Sequence, residues 1–263
     1  MAIKRRDFLK FVGVAVAGTA VSTTVGTLFN NKVKAQNYEY RSETLRAKRW
    51  AMVIDVKKCK EAQPECGLKC IEVCHYLHNV PSIPDKKKEI KWIWEDEFEH
   101  AFPEYEKNEH LKELFHGVPF LLLCNHCENP PCVRVCPTKA TFKSEDGIVM
   151  MDFHRCIGCR FCMAACPYGA RSFNWYDPRK YLKKVNPEYP TRTKGVVEKC
   201  LFCYERLVKG QLPACVEACP AKALHFGDLE DEESEINKIL KNRIAIRRKE
   251  ELGTGPSIFY LID

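Results

Sequence analysis

The sixteen cysteines of this 263-residue chain constrain its fold more than any other feature. They fall into four groups of four, and every group ends in the same step, Cys-x3-Cys. In the last three groups a proline follows the final cysteine, and an alanine stands three residues after that proline. This repetition indicates that the chain is built from duplicated units. In chain order, the groups are Cys59, Cys66, Cys70 and Cys74; Cys124, Cys127, Cys132 and Cys136; Cys156, Cys159, Cys162 and Cys166; and Cys200, Cys203, Cys215 and Cys219.

The third group has the spacing C-x2-C-x2-C-x3-C-P, which bacterial ferredoxins use to bind iron–sulfur clusters. Three closely spaced thiolates can hold one face of a cluster, while the amides of their loop point at its sulfurs. In two-cluster ferredoxins the fourth cysteine ligates the other cluster. We expect this fourth cysteine at the start of a helix, with the proline fixing the local path of the chain. The spacing therefore predicts iron–sulfur clusters.

Other uses of sixteen cysteines fit the spacing less well. Eight disulfides would suit an exported protein, but cysteines separated by only two or three residues have poor geometry for bridges. Structural zinc uses C-x2-C pairs separated by a dozen or more residues, a pattern that suits the fourth group alone. Covalent haem attachment needs C-x-x-C-H, which the sequence does not contain. Disulfides and zinc therefore stay open as the poorer interpretations.

The first 35 residues have the profile of an export signal. Residues 4–6 are basic, and residues 11–31 then contain no charged side chain. Ala35 marks a cleavage site of the small-residue type. The paired arginines, followed by Asp-Phe-Leu-Lys, resemble the twin-arginine export signal. An uncleaved membrane anchor stays open as the alternative, although the stretch contains more Gly, Ser and Thr than most membrane-spanning helices.

The net charge argues against a nucleic-acid partner. The whole chain carries a formal charge of +7, with 42 Lys and Arg against 35 Asp and Glu. Without residues 1–35 the remaining 228 residues carry 36 basic and 34 acidic side chains, so the charge falls to +2. A nucleic-acid-binding protein would keep a strong basic excess in its folded part.

Segments around the second and fourth groups are similar to the signatures of a known family. These segments are residues 120–137, 199–206 and 213–220. They resemble the four-cluster, ferredoxin-like electron-transfer subunits of membrane-bound oxidoreductases, which accompany polysulfide, nitrite, dimethyl-sulfoxide and nitrate reductase chains. The resemblance extends from about Trp50 to about Asp228, and residues 256–261 resemble the family's closing strand. With the twin-arginine start, residues 74–81 resemble the exported type found in sulfite-reductase-linked membrane complexes.

By that resemblance, the chain has an α+β fold of tandem ferredoxin-like modules, with small sheets, short helices and long loops. Each module binds two 4Fe-4S clusters, so the family implies four clusters. The groups pair crosswise, the first with the fourth and the second with the third. The implied ligand sets are Cys59, Cys66, Cys70 and Cys219; Cys74, Cys200, Cys203 and Cys215; Cys124, Cys127, Cys132 and Cys166; and Cys136, Cys156, Cys159 and Cys162.

The family also implies a function, the relay of single electrons through the clusters, with no catalytic pocket in this chain. The implied partners are an integral membrane quinone-reactive subunit and either a multihaem cytochrome c or a catalytic reductase subunit, at the periplasmic face of the membrane. The sulfite-linked type favours a complex of sulfate or sulfite respiration. Alternatives are a molybdenum-type reductase, hydrogenase or formate dehydrogenase complex and, from another class, a metal-binding scaffold without redox function.

The first group departs from the family pattern. Its gaps are x6, x3 and x3, and His75 stands where a proline follows the other groups. We expect a loop here, and the cluster that it helps to bind is the least regular of the four. His75 and His78 are candidate ligands, although a histidine in a polar loop is more often simply hydrogen-bonded.

The rest of the sequence divides into a body at residues 36–228 and a C-terminal helix and strand at residues 229–263. Within the body, residues 75–123 form an insertion whose aromatic side chains either dock a partner or pack on the clusters. Residues 177–194 predict a loop. A helix is predicted over residues 234–248 by the spacing of Ile236, Ile239, Leu240 and Ile244.

Short strands are predicted to lead into the cysteine groups, and basic residues flank several ligands. The strand-like runs are residues 52–56, 118–123, 148–152 and 195–197, with a hairpin turn at residues 144–147. Nearby positive charge raises the potential of a cluster. The candidates for this effect are Lys57, Lys58, Arg155, Arg160 and Lys199.

Overall fold

The computed structural model describes residues 43–105 and 107–263, so the export signal predicted at residues 1–35 lies outside the described residues. The described part has an α+β fold, which confirms the expected fold class. Its strands are β1 Trp50–Asp55, β2 Ile93–Glu97, β3 Pro119–Leu123, β4 Thr141–Lys143, β5 Val149–Met151, β6 Ser172–Phe173, β7 Val197–Glu198, β8 Leu224–Asp228, β9 Ala245–Ile246 and β10 Ile258–Leu261.

The helices are short, and most carry or adjoin cysteines. They are α1 Val56–Cys66, α2 Lys69–Leu77, α3 Phe98–Ala101, α4 Glu109–Leu114, α5 Pro131–Arg134, α6 Phe161–Ala164, α7 Tyr204–Leu207, α8 Ala214–Glu217 and α9 Glu235–Asn242. Short 3-10 helices lie at Lys86–Lys88, Pro103–Tyr105, Pro178–Tyr181 and Glu250–Leu252. Among the described residues, no helix has the length and apolar character needed to cross a membrane.

The largest sheet explains how the first and fourth cysteine groups meet. Its strand order is β8–β1–β10–β9, with β1 antiparallel to β8 and parallel to β10. Every residue of β1 is buried, as expected for a central strand of Val, Ile and Met covered on both faces. The first group starts just after β1 and the fourth group ends just before β8. Their antiparallel pairing therefore brings Cys59 and Cys219 to the same end of the sheet.

Three two-stranded sheets complete the strand structure of the described residues: β2–β3, β4–β5 and β6–β7. The predicted hairpin is confirmed, because β4 and β5 pair antiparallel with Phe142 opposite Met150. Gly147 in its turn has a φ of 84°, a conformation that favours glycine. In the last sheet, Ser172 pairs with Glu198, which joins the segment after the third group to the segment before the fourth.

Most aromatic residues of the insertion at residues 75–123 form part of the core. Phe98, Phe102 and Trp92 are almost completely buried. The ring of Phe102 packs edge-on against Phe120 at 5.2 Å and against Tyr260 at 5.3 Å. The interpretation of these aromatics as a docking surface is therefore wrong, because their burial stabilises the fold instead.

A buried ion pair fastens the insertion and the predicted loop at residues 177–194 to β7. Arg192 Nη2 lies 2.6 Å from Glu198 Oε2, and both side chains are at most 1% exposed. The Trp92 indole N–H donates to the same carboxylate at 2.9 Å. Arg192 Nη2 also donates to the carbonyl oxygen of Asn79 at 2.7 Å. The loop prediction is confirmed except for the 3-10 helix Pro178–Tyr181, which Asp177 caps.

The helix predicted over residues 234–248 is correct only as far as Asn242. Ser234 caps its start by accepting a hydrogen bond from the Asn237 N–H. Beyond Asn242 the chain becomes extended, because residues 245–246 pair with β10 and Arg243 binds two carboxylates elsewhere in the chain. Ile244, which the helical spacing grouped with Ile236, Ile239 and Leu240, is 64% exposed.

Candidate iron–sulfur sites

The structure gathers the sixteen cysteines into four sites, each with three thiols from one group and one from another. In sites 1, 2 and 4 the four thiols line one common cavity. In site 3, burial and then the charges of the other three cysteines raise the pKa of Cys127 to about 12. The members are Cys59, Cys66, Cys70 and Cys219 in site 1; Cys74, Cys200, Cys203 and Cys215 in site 2; Cys124, Cys127, Cys132 and Cys166 in site 3; and Cys136, Cys156, Cys159 and Cys162 in site 4.

The repeated Cys-Pro-x-x-Ala segments fold into one kind of turn after each of the last three groups. The Ala223 N–H donates to Cys219 Sγ at 3.3 Å, four residues back along the chain. Burial raises the pKa of Cys136, but backbone N–H groups, first that of Thr141, bring it below its usual value. The residue before each alanine makes the turn possible with a positive φ: Lys139 at 53°, Gly169 at 63° and Lys222 at 49°. The N–H of the repeated alanine is therefore one of the amides that support the final cysteine in all three groups.

The final cysteines of these groups lie just after a helix, so their expected place at a helix start is wrong. Helices α5, α6 and α8 instead carry the third cysteine of each group, Cys132, Cys162 and Cys215. Each of these helices ends two residues before the fourth cysteine. A proline after that cysteine has no N–H to continue a helix, and the left-handed turn follows directly.

The first group is helical, and the expectation of a loop there is wrong. Cys59 and Cys66 stand seven residues apart on α1, which is close to two helical turns, so both face one side. Gly67 ends α1 with a φ of 54°. On α2, Cys70 and Cys74 lie one turn apart, Cys70 in site 1 and Cys74 in site 2. The unusual x6 and x3 gaps are therefore helical spacings.

Both histidines that follow Cys74 have hydrogen-bond partners in the protein. His75 Nε2 lies 3.2 Å from the carbonyl oxygen of Ile93. The ring of His78 is buried, with Nδ1 2.8 Å from the carbonyl oxygen of Cys74 and Nε2 2.8 Å from Glu205 Oε1. The ligand atoms of His78, Glu205 and Cys203 lie within 4.8 Å of one another, so this cluster belongs to the surroundings of site 2.

The four sites form a series. Sites 1 and 2 adjoin along α2, which carries Cys70 of one and Cys74 of the other. Sites 2 and 3 adjoin at Leu123, which lines the cavity of site 2 and directly precedes Cys124 of site 3. Sites 3 and 4 adjoin at Arg171, which donates to Cys132 Sγ of site 3 and to Thr141 in the lining of site 4. The two inner sites are more buried than the two end sites. All four thiols of site 2 and three of site 3 are buried, whereas sites 1 and 4 each have three partly exposed thiols.

The donor chemistry of these sites fits iron–sulfur clusters. Burial raises the pKa of Cys59 to about 11 and that of Cys200 to about 12. Thiols packed in this way ionise only when a metal cation replaces the protons, and iron–sulfur clusters bind through thiolates. Beside site 3, the Val149 N–H donates to His126 Nδ1 at 3.1 Å, so His126 Nε2 carries a hydrogen. That buried N–H and the side-chain amide of Asn125 have no hydrogen-bond partner among the described residues. Unpartnered buried donors of this kind are expected where a bound group accepts their hydrogen bonds.

One buried cation close to the thiols was not predicted from the sequence. Arg171 follows the repeated alanine of the third group, and its Nη2 donates to Cys132 Sγ at 3.0 Å. Lys199, one of the five predicted candidates, is completely buried. The other four candidates are on the surface: Lys57, Lys58, Arg155 and Arg160 are exposed. A basic residue directly after Cys-Pro-x-x-Ala was the available signal, but an isolated arginine is usually a solvated charge.

Comparisons with known proteins decide the family. A model of the 4Fe-4S dicluster domain matches residues 118–185 and 185–229. The chain is 43% identical to the Hdr-like menaquinol oxidoreductase iron–sulfur subunit 1 of Archaeoglobus fulgidus, over 98% of this chain and 97% of that protein. The chain belongs to the iron–sulfur electron-transfer subunits of membrane-bound oxidoreductases. This confirms the family that the cysteine motifs indicated.

Other members of the family are also similar to this protein. It is 39% identical to the iron–sulfur cluster-binding subunit of the menaquinone reductase of Nitratidesulfovibrio vulgaris, over 81% of this chain and 88% of that protein. It is 34% identical to the iron–sulfur subunit of the arsenate respiratory reductase of a Shewanella species, over 81% of this chain and 96% of that protein. It is therefore an iron–sulfur electron-transfer subunit of complexes of the menaquinol and polysulfide reductase type.

Proposed function

We propose that this subunit holds four 4Fe-4S clusters, one in each of sites 1 to 4, and relays single electrons along the series between two partner chains. The observation that carries the proposal is the arrangement of four thiol sites in a row, with buried sites in the middle and partly exposed sites at both ends. A bound 4Fe-4S cluster accepts or gives one electron at a time. All sixteen cysteines are the proposed ligands, in the four sets defined above.

The protein's own contribution is to fix the thiols and to control their surroundings. Buried inner sites exclude water, which lowers the local dielectric and strengthens the effect of nearby charges. The end sites keep thiols near the surface, where an electron can enter or leave. Electron relay needs no nucleophile with its base and no pair of catalytic carboxylates, because it requires only that the clusters are bound and correctly positioned.

Two modules follow from this arrangement. The first and fourth groups form the module with sites 1 and 2, and the second and third groups form the module with sites 3 and 4. The body at residues 36–228 contains both modules, and residues 229–263 add the closing strand to the central sheet. Lys199 lies in the segment that links the modules, between β7 and the fourth group.

The surface around site 4 supports a docking role for that end. Ile157 is 67% exposed and Phe161 is 59% exposed, and both lie in the third cysteine group. Arg160 next to them packs over Trp175, another exposed aromatic residue, at 4.8 Å. Exposed apolar side chains grouped at one site are typical of a protein interface. We assign this surface to the integral membrane quinone-reactive subunit, in line with the menaquinol and menaquinone named for two relatives.

At the opposite end, site 1 would face the other redox partner. A multihaem cytochrome c in a complex of sulfate or sulfite respiration is our first candidate, and a catalytic reductase subunit is the second. Purification of the native complex from membranes, followed by identification of its chains, separates them. A hydrogenase or formate dehydrogenase subunit in the complex would overturn the sulfite-linked assignment and leave the relay intact.

We further propose that the chain is exported by the twin-arginine route and acts at the periplasmic face of the membrane. The twin-arginine motif before an uncharged stretch supports this. N-terminal sequencing of the native protein tests it, with Gln36 as the expected first residue. A first residue of Met1 would mean that the segment is kept as an anchor.

Iron analysis tests the number of clusters. Full loading predicts about 16 iron atoms per chain, and a measured value of about 12 would mean that only three clusters are bound. Cys70→Ser should lower the iron content by about 4 atoms per chain and Cys162→Ser by the same amount, because each changes one site. Reduced protein should show several interacting paramagnetic clusters by electron paramagnetic resonance (EPR). Iron-free protein, or a silent spectrum after reduction, would instead favour a scaffold without redox function.

A further inference from the structure

Two buried cations lie between neighbouring sites in the interior of the subunit. Arg171 is 4% exposed and Lys199 is not exposed at all. In the part of the chain that the structure describes, no carboxylate lies within salt-bridge distance of either side chain. A buried charge without a counter-charge is strongly destabilising. The counter-charge must therefore come from something else at these positions.

The contacts of Arg171 direct its charge to sites 3 and 4. Its Nη2 donates to Cys132 Sγ of site 3 at 3.0 Å and to Thr141 Oγ1 at 2.8 Å. Thr141 lines the cavity of site 4 together with the four cysteines of that site. Arg171 therefore stands between two cluster sites and hydrogen-bonds to a ligand sulfur of one of them.

Lys199 occupies the corresponding position between sites 2 and 3. Its Nζ donates to the carbonyl oxygen of Cys200 at 2.6 Å and also to that of Val149. The Val149 N–H in turn donates at 3.1 Å to the ring of His126, which stands between two ligands of site 3. Burial lowers the pKa of Lys199 and so does the charge of Arg171, whereas negative charge on Cys124, Cys200 and Cys132 raises it, so a charged Lys199 depends on the thiolates of sites 2 and 3. Both buried cations thus act on site 3, one acts on site 2 and one on site 4.

We propose that Arg171 and Lys199 are the fixed counter-charges of the inner sites and make site 3 the most easily reduced site of the series. The proposal rests on the proposed function, because it requires bound clusters. When one electron enters site 3, its negative charge grows by one and no bond or proton changes. Two nearby positive charges in a low-dielectric interior favour that reduced state. Site 1 has neither cation among its neighbours and should be harder to reduce.

The test is a dithionite titration of the full-length, cluster-loaded protein, followed by EPR. Cys127→Ser changes the site 3 signal and so assigns it. In the wild type, the site 3 signal should appear at the highest potential. Arg171→Gln should lower the ratio of reduced to oxidised site 3 at fixed potential about tenfold or more, equivalent to about 59 mV for a one-electron couple. Lys199→Gln should have the same sign of effect.

Matched variants separate charge from structure. Arg171→Lys keeps the positive charge and should retain most of the wild-type potential. Lys57→Gln removes an exposed cation near site 1 and should leave the site 3 potential unchanged. Iron content is measured for every protein.

Unchanged potentials in fully loaded Arg171→Gln and Lys199→Gln would overturn this proposal alone. So would a wild-type titration in which another site is reduced first, and that measurement needs no variant. Wild-type protein that binds no iron after reconstitution would overturn the proposed function itself. If Arg171→Gln fails to load, the wild-type order and the Lys199→Gln titration still decide the proposal.

Discussion

The two halves of the series are held together in different ways. Sites 3 and 4 depend on short turns, in which backbone N–H groups a few residues away support a cysteine sulfur. Sites 1 and 2 include the helical first group, whose support comes from distant residues. Asp55 at the start of α1 binds Arg243, and His78 at the end of α2 binds Glu205. The irregular first group therefore depends on long-range polar contacts, whereas the final cysteines of the other groups are supported by local turns.

Among the substitutions that test this difference, the one with the largest expected effect is at the buried ion pair of Arg192 and Glu198. It fastens the loop at residues 177–194 beside site 2. Arg192→Met would leave a carboxylate buried without its cation, and we expect a loss of about 3–5 kcal/mol in the free energy of unfolding. Urea denaturation of loaded protein, followed by circular dichroism and by the visible absorbance of the clusters, measures it. Arg192→Lys is the matched control and should lose less, and equal stability of Arg192→Met and wild type would contradict the prediction.

His75→Pro tests whether the first group needs its helix. Proline is the native residue after the final cysteine of the other three groups. At position 75 it would fall inside α2, remove a helical hydrogen bond and clash with the preceding turn. We expect a loss of about 3 kcal/mol or more, together with loss of iron from sites 1 and 2. Iron analysis and urea denaturation measure both effects.

His75→Ala is the control for this variant. It removes the contact of the ring with the Ile93 carbonyl but keeps the helix. We expect full iron loading in His75→Ala. Full loading in His75→Pro as well would mean that the helical geometry of the first group is dispensable.

Arg243→Met is a smaller change at the same half of the molecule, and it depends on pH. Burial alone raises the pKa of Asp55, but the Lys58 N–H and the Arg243 guanidinium outweigh it and hold the pKa below 3.8. A carboxyl group with a lowered pKa stabilises the fold above its unfolded pKa, and that contribution is lost as the pH falls through the lower folded value. Arg243→Met should therefore cost about 1.5–3 kcal/mol at neutral pH.

The difference between wild type and Arg243→Met should disappear in acid. Denaturation curves from neutral pH to below the usual Asp pKa of 3.8 measure it. Arg243→Lys, which keeps a positive charge near Asp55, is the control. A difference that stays constant through the acid range would show that Arg243 stabilises the protein by packing rather than by its charge on Asp55.

The sequence predicted the parts of this protein that depend on local spacing. The cysteine groups, the hairpin at residues 144–147 and the family all follow from short motifs. The helical first group was missed because its gaps differ from the ferredoxin pattern and Pro64 lies inside α1. Yet a gap of x6 places two cysteines about two helical turns apart, and this spacing could have indicated a helix.

Features set by distant residues were out of reach. The predicted helix at residues 234–248 ends early because residues 245–246 pair with β10, and no pattern within the segment indicates that pairing. The position of Arg171 directly after Cys-Pro-x-x-Ala draws attention to it, but nothing in the sequence shows that it will be buried against Cys132, 39 residues away. The position of a lone charge depends on the tertiary fold around it, so both of these features required the structure.

The smallest expected effect is at site 4, where Arg155 forms a surface pair with Asp152. Arg155 Nε lies 3.2 Å from Asp152 Oδ2, and the arginine side chain is 65% exposed. Asp152 also accepts hydrogen bonds from the N–H groups of His154 and Arg155, and these do not need the arginine side chain. Arg155→Gln should therefore change stability by about 0–1 kcal/mol and leave the iron content unchanged. Asp152→Ala removes the acceptor of the backbone bonds as well and should cost more in the same urea denaturation experiment. If Arg155→Gln instead lost the site 4 cluster, local turns would not suffice for this half of the molecule.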